Sequence, residues 1–240
     1  MTATKPEPRT RRRTGWWLID FYRSDVGKKW AMAVTGIALL GFVLFHLAGN
    51  LKVYIGADEI NEYGESLRDL GGHLVPRTHL LWIFRLGLIL AFAVHIHAAF
   101  VLTARNRKAR PVGYESPRDY IVANYASRTM IWSGIIVLLF ILFHLADLTW
   151  GTTNPDFFRG DINSNLIASF ERWPVALFYV VANLALGLHI YHGAWSLFQS
   201  IGASSPRFND WRRWFAVAFA LVIVIGNLSF PIAVQIGVID

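Results

Sequence analysis

Four of the eight histidines recur as two matched pairs inside long apolar runs. His46 and His144 both occur in the tetrapeptide FHLA, and the stretches before them align at an offset of 98 residues. His95 and His189 occur in the similar stretches FAVHI and LGLHI, at an offset of 94. A polar, ionisable side chain within a hydrocarbon layer is costly, so it indicates a functional site. The two offsets predict a two-helix unit that is used twice.

The four histidines fall at two depths when the apolar runs are interpreted as membrane helices. His46 and His144 lie about 25 Å from the basic ends of their runs, whereas His95 and His189 lie about 15 Å from theirs. Neutral imidazole is a good axial ligand of haem iron, and two such pairs would hold two haem b groups. For any single position, a histidine that only forms a hydrogen bond between helices is the simpler interpretation.

Two further histidines leave the choice of the inner ligands open. His97 lies two residues after His95, and His192 lies one turn after His189. Either one could replace its neighbour as a ligand, bind a haem propionate or line a quinone pocket. The chain has no cysteine, so the alternative of a His-ligated iron–sulfur cluster requires cysteines from a partner.

The composition indicates that these histidines are positioned by membrane-spanning helices. Of the 240 residues, 54% are hydrophobic and 16% are charged, whereas a soluble domain has about 25% charged residues. Five apolar stretches reach the length of about 20 residues that a helix needs to cross a bilayer. They cover about 30–51, 80–104, 129–150, 173–199 and 212–236. We therefore predict an all-α integral membrane protein whose first four spans form a four-helix cofactor-binding core and whose fifth span is peripheral.

The distribution of charge predicts the orientation of these spans. Basic residues concentrate in the N-terminal segment and in the loops after the second and fourth spans, whereas the other two loops are acidic. Because basic loops remain in the cytoplasm, we expect the N-terminus inside and the C-terminus outside. Residues 1–14 are predicted to be a disordered cytoplasmic extension, and 15–240 a single transmembrane domain in contact with lipid. Because the charge is segregated in this way, it does not indicate a nucleic-acid partner.

Two polar residues mark the cytoplasmic edge of the first span. Ser24 and Lys28 are four residues apart, so a helix places their hydroxyl and ammonium groups on one face. Such a pair can bind the carbonyl oxygen of a quinone, and Trp17 with the aromatic residues around it can line an entry for the isoprenoid tail. The alternative interpretation is a helix-capping serine and a lysine that follows the charge rule.

Several longer stretches make the chain resemble the cytochrome b membrane-anchor subunit of succinate dehydrogenase/fumarate reductase (complex II), in its single-chain, five-helix, di-haem form. The resemblance covers residues 15–237 and rests on the stretches FYRSDVGKKWAMAVTGIALLGFVLFHLAGN, HIHAAFVLTARNRKARP, FHLADLTWG and LHIYHGAWSLFQSIG. It implies a flavoprotein subunit and an iron–sulfur subunit docked on the cytoplasmic face of a bacterial inner membrane. It further implies electron transfer between that partner and menaquinone or ubiquinone, and leaves a higher oligomer open.

The resemblance also implies roles for individual residues. His95 and His189 match the ligands of the inner haem, and His46 and His144 match those of the outer haem. Ser24 and Lys28 are similar to the polar pair of a quinone site. Because the soluble segments are too short for a catalytic domain, the chain would act in an enzyme only as a subunit.

Two other functions remain compatible with the sequence. A di-haem cytochrome of another respiratory enzyme, such as a formate dehydrogenase, a hydrogenase or a nitrate reductase, shares the helix number and the histidine pairs. A transporter or proton channel with a histidine relay needs no cofactor, but usually has interrupted helices.

Overall fold

The structure is a computed structural model that describes residues 15–109, 123–203 and 205–240, with the backbone alone for 123–128. Every regular element within those ranges is helical, which confirms the all-α prediction for the described part of the chain. The eight α-helices are α1 (Trp17–Arg23), α2 (Asp25–Asn50), α3 (Ala57–Ser66), α4 (His79–Ala109), α5 (Ala123–Leu148), α6 (Ile162–Glu171), α7 (Trp173–Ser200) and α8 (Asn209–Gln235). The predicted disordered extension, residues 1–14, lies outside the described residues.

In the described part of the chain, five helices are long and apolar enough to cross a membrane, as predicted. By length and composition, the candidate spans are Asp25–Tyr54, His79–Ala109, Thr129–Leu148, Trp173–Ser200 and Pro206–Gln235. The first and last include the short 3₁₀-helices Leu51–Tyr54 and Pro206–Phe208. Their apolar side chains point outward in large numbers, as expected for a chain whose solvent is lipid rather than water. The fold is therefore that of a multi-pass membrane protein.

Two short helices, α3 and α6, occur in the acidic loops, where the sequence did not predict them. Asp161 caps α6, because its Oδ1 accepts the Ser164 backbone N–H at 3.0 Å. Hydrogen bonds from the Ser164 backbone and hydroxyl lower the pKa of the Asp161 carboxyl. Asn61 of α3 donates to the same carboxylate at 3.1 Å and accepts from the Ile162 N–H at 2.7 Å. The two loop helices are thus bonded to each other at one end of the bundle.

Four of the five long helices pack as two pairs of neighbouring spans. α2 packs on α4, α5 packs on α7, and contact between α2 and α7 joins the pairs. This pairing matches the two-helix unit that the sequence predicts. The last helix, α8, packs most extensively along α7, where Ala216 and Ile223 are fully buried and Gly187 approaches Val224. The prediction of a single domain over 15–240 is not tested separately by these contacts and stays a prediction.

The junction between α1 and α2 depends on a glycine. Ser24 separates the two helices, and the chain folds so tightly that a Cβ on Gly27 would overlap the Phe21 carbonyl and lie 3.0 Å from Tyr22 Cα. These are backbone atoms, which cannot move aside as a flexible side chain can. Any side chain at position 27 must therefore displace α1 from the first turn of α2.

We expect Gly27→Ala to loosen this junction. In the solubilised variant, trypsin should cleave after Arg23 and Lys28 faster than in the wild type. In the wild type the α1 backbone is folded against α2, and displacement of α1 would expose it. The matched control is Gly41→Ala, where an added Cβ meets no atom within 4 Å. Equal cleavage rates in the two variants would contradict the close approach at Gly27.

Candidate functional site

His46 on α2 and His144 on α5 face each other across the bundle and are called here the outer pair. Their ring centroids are 5.9 Å apart and the ring planes cross at 78°. Phe42 stacks on His46 with centroids 5.3 Å apart, and Phe140 packs on His144 at 5.8 Å. Because Phe42 and Phe140 are 98 residues apart, the sequence repeat extends to the packing around these rings.

His95 on α4 and His189 on α7 form a second facing pair, called here the inner pair. Their ring centroids are 6.5 Å apart and the ring planes cross at 61°. Thr35, whose Oγ1 lies 3.1 Å from His95 Nδ1, precedes His46 on α2 by three turns. The two pairs are therefore separated by about 16 Å along the helix axis. The structure thus brings together the four histidines that the sequence grouped by depth.

Each inner histidine contacts a hydroxyl group on the helix paired with its own. Thr35 Oγ1 lies 3.1 Å from His95 Nδ1, and Ser133 Oγ lies 3.2 Å from His189 Nδ1. Both hydroxyls donate their only proton to a carbonyl about one turn earlier on the same helix, at 2.7 Å and 3.1 Å. With those protons donated, each hydroxyl oxygen is an acceptor for a histidine that carries its proton on Nδ1. In that tautomer the lone pair of Nε2 is available to a metal.

Small residues stand beside both inner rings. A Cβ on Gly36 would lie 3.8 Å from His95 Cε1, and one on Gly134 would lie 3.5 Å from His189 Cε1. A methyl group would therefore fill the space next to each ring. The two glycines are 98 residues apart, as are the two hydroxyl residues that precede them.

All four facing histidines retain accessible surface. In the described ranges α4 packs closely on α2 and α5 on α7, but α4 and α5 are not a closely packed pair. The His46 ring is exposed and the other three rings are partly accessible, although all four lie within apolar spans. The arrangement suits a ligand that inserts between facing imidazoles.

Each facing pair offers two imidazoles to a bound group. The described residues contain no group of three or more His, Asp or Glu side chains that could hold a metal ion. Haem iron takes only its axial ligands from the protein. Metal–imidazole bonds of about 2.0–2.1 Å, as on zinc, on both sides of one metal place the ring centroids about 6 Å apart. The observed 5.9 Å and 6.5 Å fit that separation.

The alternative ligands, His97 and His192, lie in other surroundings. The Tyr22 hydroxyl is 2.6 Å from His97 Nδ1, and the two rings stack with centroids 5.8 Å apart. The His192 ring packs edge-on against the tryptophan one turn later, and its Nδ1 is buried without a hydrogen-bond partner in the described part of the chain. Of the two candidates on α4, His95 is the one that faces His189.

Ser24 and Lys28 are brought together at the α1–α2 junction, and both make hydrogen bonds within it. Ser24 is the N-cap of α2, because its Oγ accepts from the Gly27 N–H at 2.9 Å, and it also donates to the Phe21 carbonyl at 2.6 Å. Lys28 is only 3% exposed. Its ammonium donates to the Tyr22 carbonyl at 2.9 Å and lies 4.2 Å from the centre of the Tyr22 ring. The capping role that the sequence left open for Ser24 is therefore present.

The third predicted quinone residue, Trp17, lies on the surface of α1 with 74% of its area exposed. α1 is attached to the end of α4 by Arg105, which pairs with Asp25 and donates to the Arg23 carbonyl at 3.2 Å. Together with the Tyr22–His97 hydrogen bond, these contacts hold the α1–α2 junction beside α4, the helix that carries His95.

Sequence reasoning missed a buried polar cluster beside the outer pair. Asp147 is fully buried, and its carboxylate accepts from Arg172 at 2.7 Å, from Tyr179 at 3.0 Å and from Ser169. The Tyr179 hydroxyl oxygen also lies 3.4 Å from His144 Nδ1. The sequence did contain a signal of this cluster. A carboxylate one turn after a membrane histidine, inside the apolar run FHLADL, is itself an indication of function.

No family model, curated protein or solved structure matches this chain.

Proposed function

We propose that this chain is the membrane-anchor and electron-transfer subunit of a succinate:quinone oxidoreductase. In this role it passes electrons between a docked iron–sulfur subunit and membrane quinone. The observation that carries the proposal is the presence of two facing histidine pairs at two depths of one helical bundle. A transporter with a histidine relay requires neither the facing geometry nor the centroid separation expected of axial ligands.

In this proposal four helices, α2, α4, α5 and α7, hold two haem b groups, and α8 supports α7 from the periphery of that core. His46 and His144 would hold the outer haem, and His95 and His189 would hold the inner haem. When bound, the haems supply one-electron transfer across the apolar interior. The protein's part is to orient the imidazoles, to exclude water and to set the polarity around each pair.

The orientation and the partners follow from the distribution of charge. The basic segments would face the cytoplasm of a bacterial cell, with the inner pair nearer to that side. The resemblance to complex II anchors supports an iron–sulfur subunit and a flavoprotein subunit docked there. Oxidation of succinate would then take place in the partner subunits, and this chain would supply the path to quinone.

The quinone site in this proposal lies at the α1–α2 junction. Lys28 and Ser24 would donate to a quinone carbonyl and stabilise the negative charge that develops on reduction. Trp17 would contact the isoprenoid tail at the membrane surface. Because both polar groups already hold the junction, quinone binding would exchange or share those hydrogen bonds rather than occupy unused donors.

We expect the histidine variants to divide into two classes. His46→Ala and His144→Ala should both remove one redox centre, and His95→Ala and His189→Ala should both remove the other, because a bis-histidine site that loses one ligand loses its low-spin spectrum. The measurement is the reduced-minus-oxidised absorption spectrum of each purified variant. His73→Ala is the control, since His73 is exposed outside the candidate spans and should leave the spectrum unchanged. A full wild-type spectrum in all four variants would exclude these ligands.

We expect Lys28→Ala and Ser24→Ala to lower quinone reductase activity. Loss of one donor to a developing charge costs on the order of 2.7–4 kcal/mol in oxyanion sites, which is an upper limit for a membrane interface. Succinate oxidation with a soluble artificial acceptor should remain, because that reaction does not use the membrane quinone site.

Lys29→Ala is the matched control, since it removes the same charge from the adjacent exposed lysine. It should keep quinone turnover within error of the wild type. Wild-type turnover in both test variants, or an equal loss in the control, would exclude the junction as the site of quinone reduction.

A further inference from the structure

The buried cluster beside the outer pair is centred on the Asp147 carboxylate, which has no exposed surface. Arg172 is its ion-pair partner at 2.7 Å, and the hydroxyls of Ser169 and Tyr179 both donate to its Oδ2. A buried carboxylate is stable only when it is paired and hydrogen bonded, and these contacts meet both conditions. Asp147 therefore forms a fixed negative group at the end of α5.

Tyr179 lies between this carboxylate and the outer pair. Its hydroxyl has one proton, which it donates to Asp147 Oδ2 at 3.0 Å. The same oxygen lies 3.4 Å from His144 Nδ1, so it can only accept from the ring N–H. The tyrosine ring is held by Phe140 and Phe170, with centroid distances of 5.2 Å and 4.8 Å. The hydroxyl cannot turn away from His144 without breaking this packing.

We propose that Tyr179 and Asp147 are positioning residues for His144. Through the chain His144–Tyr179–Asp147 they hold the proton on Nδ1 and direct the lone pair of Nε2 toward His46. The inference rests on the proposed function, because it gives His144 the role of an axial ligand. It adds a means by which the protein sets the electron-donating strength of one ligand of the outer pair.

Among the described residues, no comparable chain to a carboxylate reaches the inner pair. The hydroxyls of Thr35 and Ser133 donate to neutral backbone carbonyls, whereas the hydroxyl of Tyr179 donates to a carboxylate. A charged group polarises the hydrogen bonds that lead to it, and such partners raise the basicity of a metal-bound imidazole. Within the outer pair the device is one-sided. Gly49 occupies the position in α2 that corresponds to Asp147, and a Cβ there would overlap the Tyr63 ring.

The test is the variant Tyr179→Phe in the assembled protein. It keeps the aromatic ring and the Asp147–Arg172 ion pair, and removes only the hydroxyl that joins His144 to the carboxylate. Loss of an outer hydrogen-bond partner of a metal-bound histidine typically lowers metal affinity or activity at least tenfold. If the histidine binds the oxidised state of the centre tenfold less strongly while its binding to the reduced state is unchanged, the one-electron midpoint potential rises by 59 mV. We expect a rise of about this size in the outer centre, with a changed electron paramagnetic resonance spectrum.

Two further variants separate this effect from a loss of packing. Asp147→Asn keeps the shape of the side chain and should shift the same potential in the same direction. Tyr191→Phe makes the same substitution on α7 at a partly buried tyrosine that no hydrogen bond of the described residues joins to a histidine, and should leave both centres unchanged. The outer centre is identified as the one that is absent from His144→Ala.

The outcomes distinguish this inference from the proposed function. If the wild type has no redox-active centre, the proposed function is wrong and the inference fails with it. If the wild type has two centres and Tyr179→Phe, with unchanged thermal stability, keeps both potentials, only the inference is wrong. An equal shift in Tyr191→Phe would also overturn it, because the effect would then not depend on the bond to His144.

Discussion

An imidazole nitrogen left without a partner inside a hydrocarbon layer is costly, and this cost bears directly on the arrangement of the four facing histidines. One nitrogen of each inner histidine is satisfied by a hydroxyl on the partner helix, and the other nitrogen is left for a ligand between the rings. The helices must therefore cross so that His95 faces His189 and His46 faces His144. The pairing of α2 with α4 and of α5 with α7 supplies the hydroxyl contacts, and the contact between α2 and α7 joins the two pairs whose histidines face each other.

The repeat of this unit explains why two sites occur at different depths. A hydroxyl on the first helix of each unit contacts the inner histidine and a glycine lies beside its ring. A phenylalanine follows about two turns later and the outer histidine about three turns later on the same helix. Each unit thus contributes one histidine to each pair. The units differ at their outer ends, where one carries Gly49 and the other carries Asp147. That difference makes the two sides of the outer pair chemically distinct.

Much of this organisation could be predicted from the sequence, because the length of an apolar run and the depth of a histidine within it are one-dimensional quantities. The five spans and the grouping of the four histidines follow from them. The choice between His95 and His97 could not be predicted, since it depends on how far α4 is rotated about its own axis. α3 and α6 are short helices that depend on a cap at Asp161 and on the side chain of Asn61, so no periodicity indicates them.

The cytoplasmic junction shows a different limit of sequence reasoning. A spacing of four residues predicts that Ser24 and Lys28 share one helix face, but it does not reveal that α1 folds back against the first turn of α2. That fold buries the lysine and gives its ammonium a backbone carbonyl as a partner. A membrane-surface lysine and a buried one have the same local sequence, and only the tertiary contact distinguishes them.

The central claim is that the facing histidines are axial ligands of two haems, and the haem content of the protein tests it most directly. The protein would be purified from membranes in the assembly it forms there, and haem b would be counted per chain from the absorption of its pyridine complex. Our account predicts two haem b groups per chain. A preparation that is active and intact but contains no haem would contradict it and would favour a histidine relay or a cluster with partner cysteines.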